Sequence, residues 1–218
     1  MPRSSESSRD SSGEHPRAIL IATRSAGKIR ELRALFRAAG FDVLSLDDTQ
    51  LDETAEEDTL ENAPTFEGNA LAKARHFFRR SALATVADDS GLEVLALGNQ
   101  PGVHSKRWSS RPDLRGQALD DANNALLLER LASREDRRAR YVCAAAYCDA
   151  EGEFVVRGEA EGRIRSEPRG AGGFGYDPYF ESSELGRTFG EVSMEEKARV
   201  SHRARAFSKL LQRLASRA

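Results

Sequence analysis

A chain of 218 residues with 39% hydrophobic content can bury a substantial core, which excludes a peptide-like scaffold. Its formal net charge is −2 and its sequence pI about 6.2, so it lacks the basic excess of a duplex-coating protein, no nucleic-acid partner is expected, and any affinity for phosphate must be local. No apolar run is long enough to span a bilayer and the N-terminus has no apolar h-region, so no membrane partner and a cytoplasmic location are expected.

Residues 1–16 are mostly Ser, Arg, Glu and Asp with almost nothing to bury, and are expected to form a disordered tail. The rest, 17–218, is expected to be a single bilobed domain. Ala18-Ile19-Leu20-Ile21-Ala22 has the length and apolarity of a buried strand, and the spacing of Ile29, Leu32, Leu35 and Phe36 predicts a helix over 28–39 with Gly40 as its stop. The connection Thr23-Arg24-Ser25-Ala26-Gly27-Lys28 leaves a strand and opens a helix. Such a junction aims backbone N–H groups and a positive dipole end at an anion, and Lys28 adds a full charge. It is not a Walker A loop, whose leading Gly would fall at Ala22 and whose Ser/Thr would fall at Ile29.

A second strand is predicted over 41–46. From Phe41 to Gly68 there are ten acidic residues and no Lys or Arg, a distribution that leaves most of them solvated and one free to help hold a cation. Thr65 is a cap for a helix over 65–80, on which Asn69 and Lys73, four apart, share a face. A strand over 83–87 follows, ending in Asp88-Asp89-Ser90-Gly91. Adjacent strand residues point to opposite faces, so the two carboxylates take different roles. A carboxylate there suits Mg²⁺, which takes hard oxygens and fills its other positions with water and phosphate.

A helix is predicted over 114–132, then strands over 139–148 and 153–165 paired about the turn Asp149-Ala150-Glu151-Gly152. Cys143 and Cys148, an odd number of residues apart on one strand, fall on opposite faces and form no disulfide. Gly173-Phe174-Gly175-Tyr176-Asp177-Pro178 places two aromatics, a carboxylate and flexible glycines in one short loop, a grip for a flat base. Ser193 to Glu196 is a capping box opening a helix. If that helix ran through, Lys197 and His202 would stand about 140° apart. Ser201 therefore predicts a break and a new cap, with His202 and Arg203 in the next first turn as donors for the edge of a heterocycle. Phe207, Leu210, Leu211 and Leu214 form the core stripe of that last helix. The alternation of strands and helices predicts an α/β fold: an elongated mixed β-sheet flanked by helices, with two lobes and a cleft between them.

In this order and spacing, Ala22 to Lys28, Thr65 to Ala74, Ala87 to Leu92, Pro101 to Ser105, Gly173 to Pro178, and Glu196-Lys197 with Ser201-His202-Arg203 resemble the inosine triphosphate pyrophosphatase family. These are the dITP/XTP pyrophosphatases that remove non-standard purine nucleotides. The resemblance implies a metal-dependent, commonly homodimeric enzyme with its site between two lobes. It would convert a purine nucleoside triphosphate (ITP, dITP, XTP) to the monophosphate and pyrophosphate. It implies that Thr23, Arg24, Ser25, Ala26, Gly27, Lys28 and Ser90 hold the phosphates, and that Asp89 is metal ligand and proton acceptor, with Lys28 and Lys73 as the other catalytic residues. The second Mg²⁺ ligand aligns best with Glu61, with Glu56 and Glu57 as substitutes. Phe174 would stack on the base within Gly175, Tyr176 and Asp177, while Lys197, His202 and Arg203 complete the base and sugar pocket. The chain departs from the family pattern at Ser25, at Gly68 and in the length of the segment between Thr54 and Thr65. Two other readings are a Maf-type pyrophosphatase acting on other nucleotides, and a non-catalytic nucleotide or nucleic-acid binder using the basic stretch after Glu196.

Overall fold

The computed structural model describes residues 17–217; the tail expected over 1–16 lies outside the described residues. In chain order the elements are β1 (Ala18–Ile21), α1 (Ala26–Ala38), β2 (Asp42–Ser45), α2 (Phe66–Ser81), β3 (Thr85–Val94), β4 (Gln100–Pro101), α3 (Gly116–Leu131), β5 (Arg138–Asp149), β6 (Gly152–Ile164), β7 (Phe180–Ser182), α4 (Met194–Val200) and α5 (His202–Ala215). Helix α1 begins two residues before the predicted start, because Ser25 accepts a hydrogen bond from the Lys28 N–H and so caps a turn that includes Ala26 and Gly27. Thr65 caps α2 through the Gly68 N–H, as its sequence position predicts.

The strands form one mixed sheet ordered β2-β1-β3-β5-β6-β7, with β4 pairing β3. β1 runs parallel to β2 and β3, whereas β3, β5, β6 and β7 run antiparallel in succession. This is the mixed α/β arrangement expected from the sequence. One expectation needs correction. β3 does not stop at Ala87 but continues to Val94, because β5 is long enough to pair with all ten of its residues, including Asp88 with Ala145 and Asp89 with Ala144. The acid pair therefore sits in mid-strand rather than at a strand end.

Helices α1 and α5 cover one face of the sheet around Phe36, Phe207, Ile19 and Cys143. Helix α2 covers the other face, with Phe66 and Phe77 over Ala144 and Cys148, so the two cysteines lie in separate cores as their spacing requires. A third core gathers Leu127 and Leu131 of α3 with Tyr141, Phe180 and Phe189 at the far end of β5 and β6.

Helix α5 lies so close on β6 that a Cβ at Gly158 would stand 2.3 Å from both Ala206 N and His202 O. Backbone cannot yield as a flexible side chain can. Gly158→Ala is therefore expected to cost about 2–3 kcal/mol of stability, the scale of overpacking in a close-packed interior. A urea denaturation midpoint equal to that of the native chain would show that the helix shifts freely.

Candidate active site

β1 stops where Ile21 pairs Val86, and along that edge β3 has no strand partner again until β4 pairs Glu93 and Val94. The carbonyls of Ala84 and Val86 accept from Leu20 and Ala22 N–H at 2.8 Å on this side, and Leu92 N–H donates to Ser105 Oγ at 2.8 Å further along it. Alternation turns the backbone of Asp88 and Ser90 to the stretch between, which β1 has vacated. The N-terminus of α1 faces the same opening, a crevice at the carboxyl end of a parallel strand.

The side chains of β3 then divide between the two faces. Asp88 Oδ2 lies 3.0 Å from Lys28 Nζ, and it accepts from Arg203 Nε at 3.3 Å and Ser90 Oγ at 3.1 Å. Burial opposes its charge, yet Lys28, Arg203 and Lys73 together hold the carboxyl far below the usual carboxylate range. Its Oδ1 finds no hydrogen-bond partner among the described residues.

Asp89 faces α2 instead. Asn69 Nδ2 donates to its Oδ2 at 2.8 Å, and Lys73 Nζ stands 3.8 Å from its Oδ1. Burial raises its carboxyl above the ordinary value, and the neighbouring charge of Glu61 adds to this against the pull of Lys73. Lys73 itself donates to Glu61 Oε1 at 2.6 Å, so one buried ammonium stands between two carboxylates. Glu61 is kept below its ordinary range although burial works against its charge, because Lys73 outweighs burial, helped by Lys28 and Lys106. Arg107 also binds the Glu61 backbone carbonyl at 2.7 Å.

The two alternatives to Glu61, Glu56 and Glu57, lie away from this pair. Glu57 takes Arg24 in a bidentate pair at 2.8 Å on both oxygens and also binds Arg80 at 3.2 Å, while Glu56 is exposed beside His76. Arg24 is therefore not brought into the constellation: its guanidinium points to Glu57, and only its backbone remains in the loop. Thr23 Oγ1 accepts from the Ser25 N–H at 3.2 Å, which shapes the entry to α1.

On the base side the chain breaks between α4 and α5 at Ser201, whose backbone is extended (φ −70°, ψ 149°) and whose hydroxyl accepts from the Ala204 N–H. Lys197 and Arg203 converge as a result. Lys197 Nζ donates to Asp177 Oδ2 at 2.7 Å and lies 4.9 Å from the centre of the Phe174 ring. Arg203 donates to Ser90 Oγ at 2.8 Å. His202 is buried and stacks on Tyr141 with centroids 4.6 Å apart; burial, then the charges of Arg203 and Lys197, hold it well below its usual value, so it is a neutral imidazole. Its Nδ1 has no partner among the described residues.

The Phe174 ring is 38% exposed and leans on the first turn of α1, where a Cβ at Gly27 would stand 2.9 Å from Cε1. Tyr176, the second aromatic of the expected grip, is turned into the core and donates from its hydroxyl to Ser105 O at 2.8 Å. Only one ring of the loop is left for a base.

Sequence reasoning missed Glu31. It accepts from Lys197 at 3.2 Å and from Arg203 Nη1 at 2.5 Å, tying both to α1. The signal was present: Glu31 is the single acid in a helix carrying Lys28, Arg30, Arg33 and Arg37, and lies one turn after Lys28.

Among the described residues no cluster of three or more His, Cys, Asp or Glu converges to hold a metal. Two carboxylates facing one ammonium are nevertheless hard-oxygen donors of the kind Mg²⁺ takes when phosphate and water complete its shell. The donor set fits that ion.

The Ham1 family model matches residues 19–213. A dITP/XTP pyrophosphatase of Mycolicibacterium paratuberculosis is 50% identical over 200 residues, covering 90% of this chain and 95% of that protein. One from Symbiobacterium thermophilum is 43% identical and covers 90% and 94%. Among solved structures, the Staphylococcus aureus Ham1 protein superposes with a TM-score of 0.79 at 32% identity, covering 93% of this chain and all of that one. A nucleoside-triphosphatase / dITP/XTP pyrophosphatase from Mycobacterium abscessus superposes with a TM-score of 0.67 at 43% identity, covering 89% and 98%. With the match spanning nearly all of the described residues, this chain belongs to the Ham1 family.

Proposed function

We propose that the chain is a cytoplasmic, Mg²⁺-dependent pyrophosphatase that hydrolyses ITP, dITP and XTP to the monophosphate and pyrophosphate. The observation that carries this reading is the position of the α1 N-terminus. Its first turn and Lys28 face Asp88, the neighbour of Asp89, on one side and lie under the Phe174 ring on the other, so a triphosphate site and a base platform meet within one nucleotide's reach. The M. paratuberculosis and M. abscessus relatives, named for dITP/XTP pyrophosphatase activity, support the same substrate class.

In this reading the phosphates lie against the N–H groups of the 23–28 loop, Lys28 and Ser90. Glu61 and Asp89 would hold Mg²⁺, which when bound neutralises phosphate charge and polarises the phosphoryl group. Asp89, whose carboxyl already favours a proton more than a free aspartate does, accepts the proton of the attacking water. The water oxygen bonds to the α-phosphorus, the bond from that phosphorus to the bridging oxygen breaks, and its electron pair leaves with pyrophosphate. Lys73 keeps Glu61 and Asp89 oriented toward one point.

Phe174 stacks on the purine. Lys197, Arg203 and the neutral His202 present donors suited to a 6-oxo group, and the exocyclic amine of adenine would meet donor against donor, a mismatch of a few kcal/mol. The expected result is metal-dependent pyrophosphate release from ITP, dITP and XTP at least about a hundredfold faster, as kcat/KM, than from ATP. EDTA would abolish turnover while leaving the thermal midpoint nearly unchanged, because Lys73 already balances the two carboxylates. Equal rates on ATP would remove the base-reading role of His202 and Arg203. The resemblance also implies a homodimer, which sedimentation equilibrium tests.

A further inference from the structure

The base platform has an anchor that lies outside the nucleotide pocket. Asp120 and Asn124 stand four apart on α3 and therefore on one face of it. Asp120 Oδ2 accepts from the Gly175 N–H at 2.9 Å, and Asn124 Nδ2 donates to the Gly175 carbonyl at 3.0 Å. Both backbone polar groups of one loop residue are thus held by one helix. Gly175 has a φ of +63°, a conformation open to glycine, and it is the residue immediately after Phe174. On the other side, the Phe174 N–H is held by Asp177 Oδ2 at 2.9 Å.

The two halves of the base pocket are carried by different helices, although His202 itself stacks on Tyr141 of the core that also seats α3. Phe174 is tied through Gly175 to α3, whose Leu127 and Leu131 sit in the far core with Tyr141 and Phe180. His202 and Arg203 open α5, whose Phe207 and Leu210 sit in the core with Phe36 and Ile19. The Asp177–Lys197 pair ties the loop to α4, so the gap between the stacking ring and the edge-reading donors is set jointly by that pair and by what holds Gly175 to α3. A purine is read correctly only if that gap holds its ring plane in register with the donors, and a displacement of a fraction of an ångström is enough to lose discrimination.

We infer that Asp120 and Asn124 are positioning residues for base selection, clamping Gly175 so that Phe174 stands at the distance from His202 and Arg203 that a 6-oxopurine requires. They touch no substrate. This rests on the proposed nucleotide reading and extends it to a pair of residues on α3.

The test compares the native chain with Asp120→Ala, Asn124→Ala and Asp120→Asn, measuring kcat and KM on ITP, XTP, GTP and ATP with Mg²⁺, and thermal midpoints for each. Asn at 120 keeps an acceptor for the Gly175 N–H. The alanine variants are expected to raise KM for ITP by about tenfold with kcat within about twofold, and to narrow the preference for ITP over ATP by a similar factor, the loss of one hydrogen bond's worth of positioning. Asp120→Asn is expected to recover most of both. A native preference for ITP that passes unchanged into Asp120→Ala overturns the clamp alone. An Asp120→Asn variant as impaired as the alanine also overturns it, since the acceptor would then not be what matters. A native chain with no preference among the four nucleotides would overturn the base pocket itself, and the clamp's role with it.

Discussion

Asp89→Asn is expected to lower kcat by about a thousandfold or more while leaving the fold intact, a loss on the scale of removing a general base together with a hard ligand for a catalytic metal. The reason lies in what the substitution keeps. An Asn side-chain oxygen still accepts from Asn69, and Lys73 still has Glu61, so the packing around α2 is preserved. What is lost is the negative charge and the ability to take a proton. Because burial and the charge of Glu61 push the Asp89 carboxyl upward, its ionised form costs stability at neutral pH, and the neutral amide removes that cost. The variant should therefore melt no earlier than the native chain. Steady-state pyrophosphate release beside a thermal melt decides the matter: undiminished kcat would take Asp89 out of the reaction, and a lowered melting point would assign it a structural task.

One residue earlier, the same change should do the opposite to the fold. Asp88→Asn leaves the half-buried Lys28 without its carboxylate partner and strips one of the two that neutralise the buried Arg203. Breaking a buried ion pair from one side costs about 3–5 kcal/mol, and the lower end applies because Arg203 retains Glu31. The pH dependence follows from the direction of the shift. The folded carboxyl is held well below the unfolded value near 3.9, so its stabilisation is complete above that pH and is lost as the pH falls below it. The gap in unfolding free energy between native and variant should be full at pH 7 and shrink below about pH 4. Urea titrations at the two pH values would show this, and a constant gap would mean that the charge of Asp88 is not what the cluster uses.

The contrast between these neighbours was legible in the sequence only as a rule. Period-two alternation requires two unlike aspartates, but which faces Lys28 and which faces Lys73 depends on where α1 and α2 pack. The opening strand, the capped helix after Thr65, the hairpin about Asp149 and the break at Ser201 each rest on local signals, namely apolar runs, caps and a turn, and the structure has all of them. The true length of β3 rests on partners 45 or more residues away, and β4 and β7 are too short to show any period. The burial of Tyr176 and the grip of α3 on Gly175 are contacts between segments distant in the chain. No spacing announces such contacts. Glu31 was within reach, as a lone acid among basic residues on a short amphipathic helix.

The placement of Asp88 and Asp89 in mid-strand, paired with Ala145 and Ala144 on β5, carries a further consequence. Their roles are assigned by parity along the strand, counted from the apolar residues that fix β3 between α1, α5 and α2. Substituting those apolar residues conservatively leaves the count alone. Inserting or deleting one residue between Val86 and Asp88 would turn both carboxylates to the opposite faces: an insertion carries Asp88 to the place of the proposed proton acceptor, and a deletion carries Asp89 against Lys28 and Arg203. This stretch therefore behaves like a reading frame: it tolerates many changes of letter and none of phase.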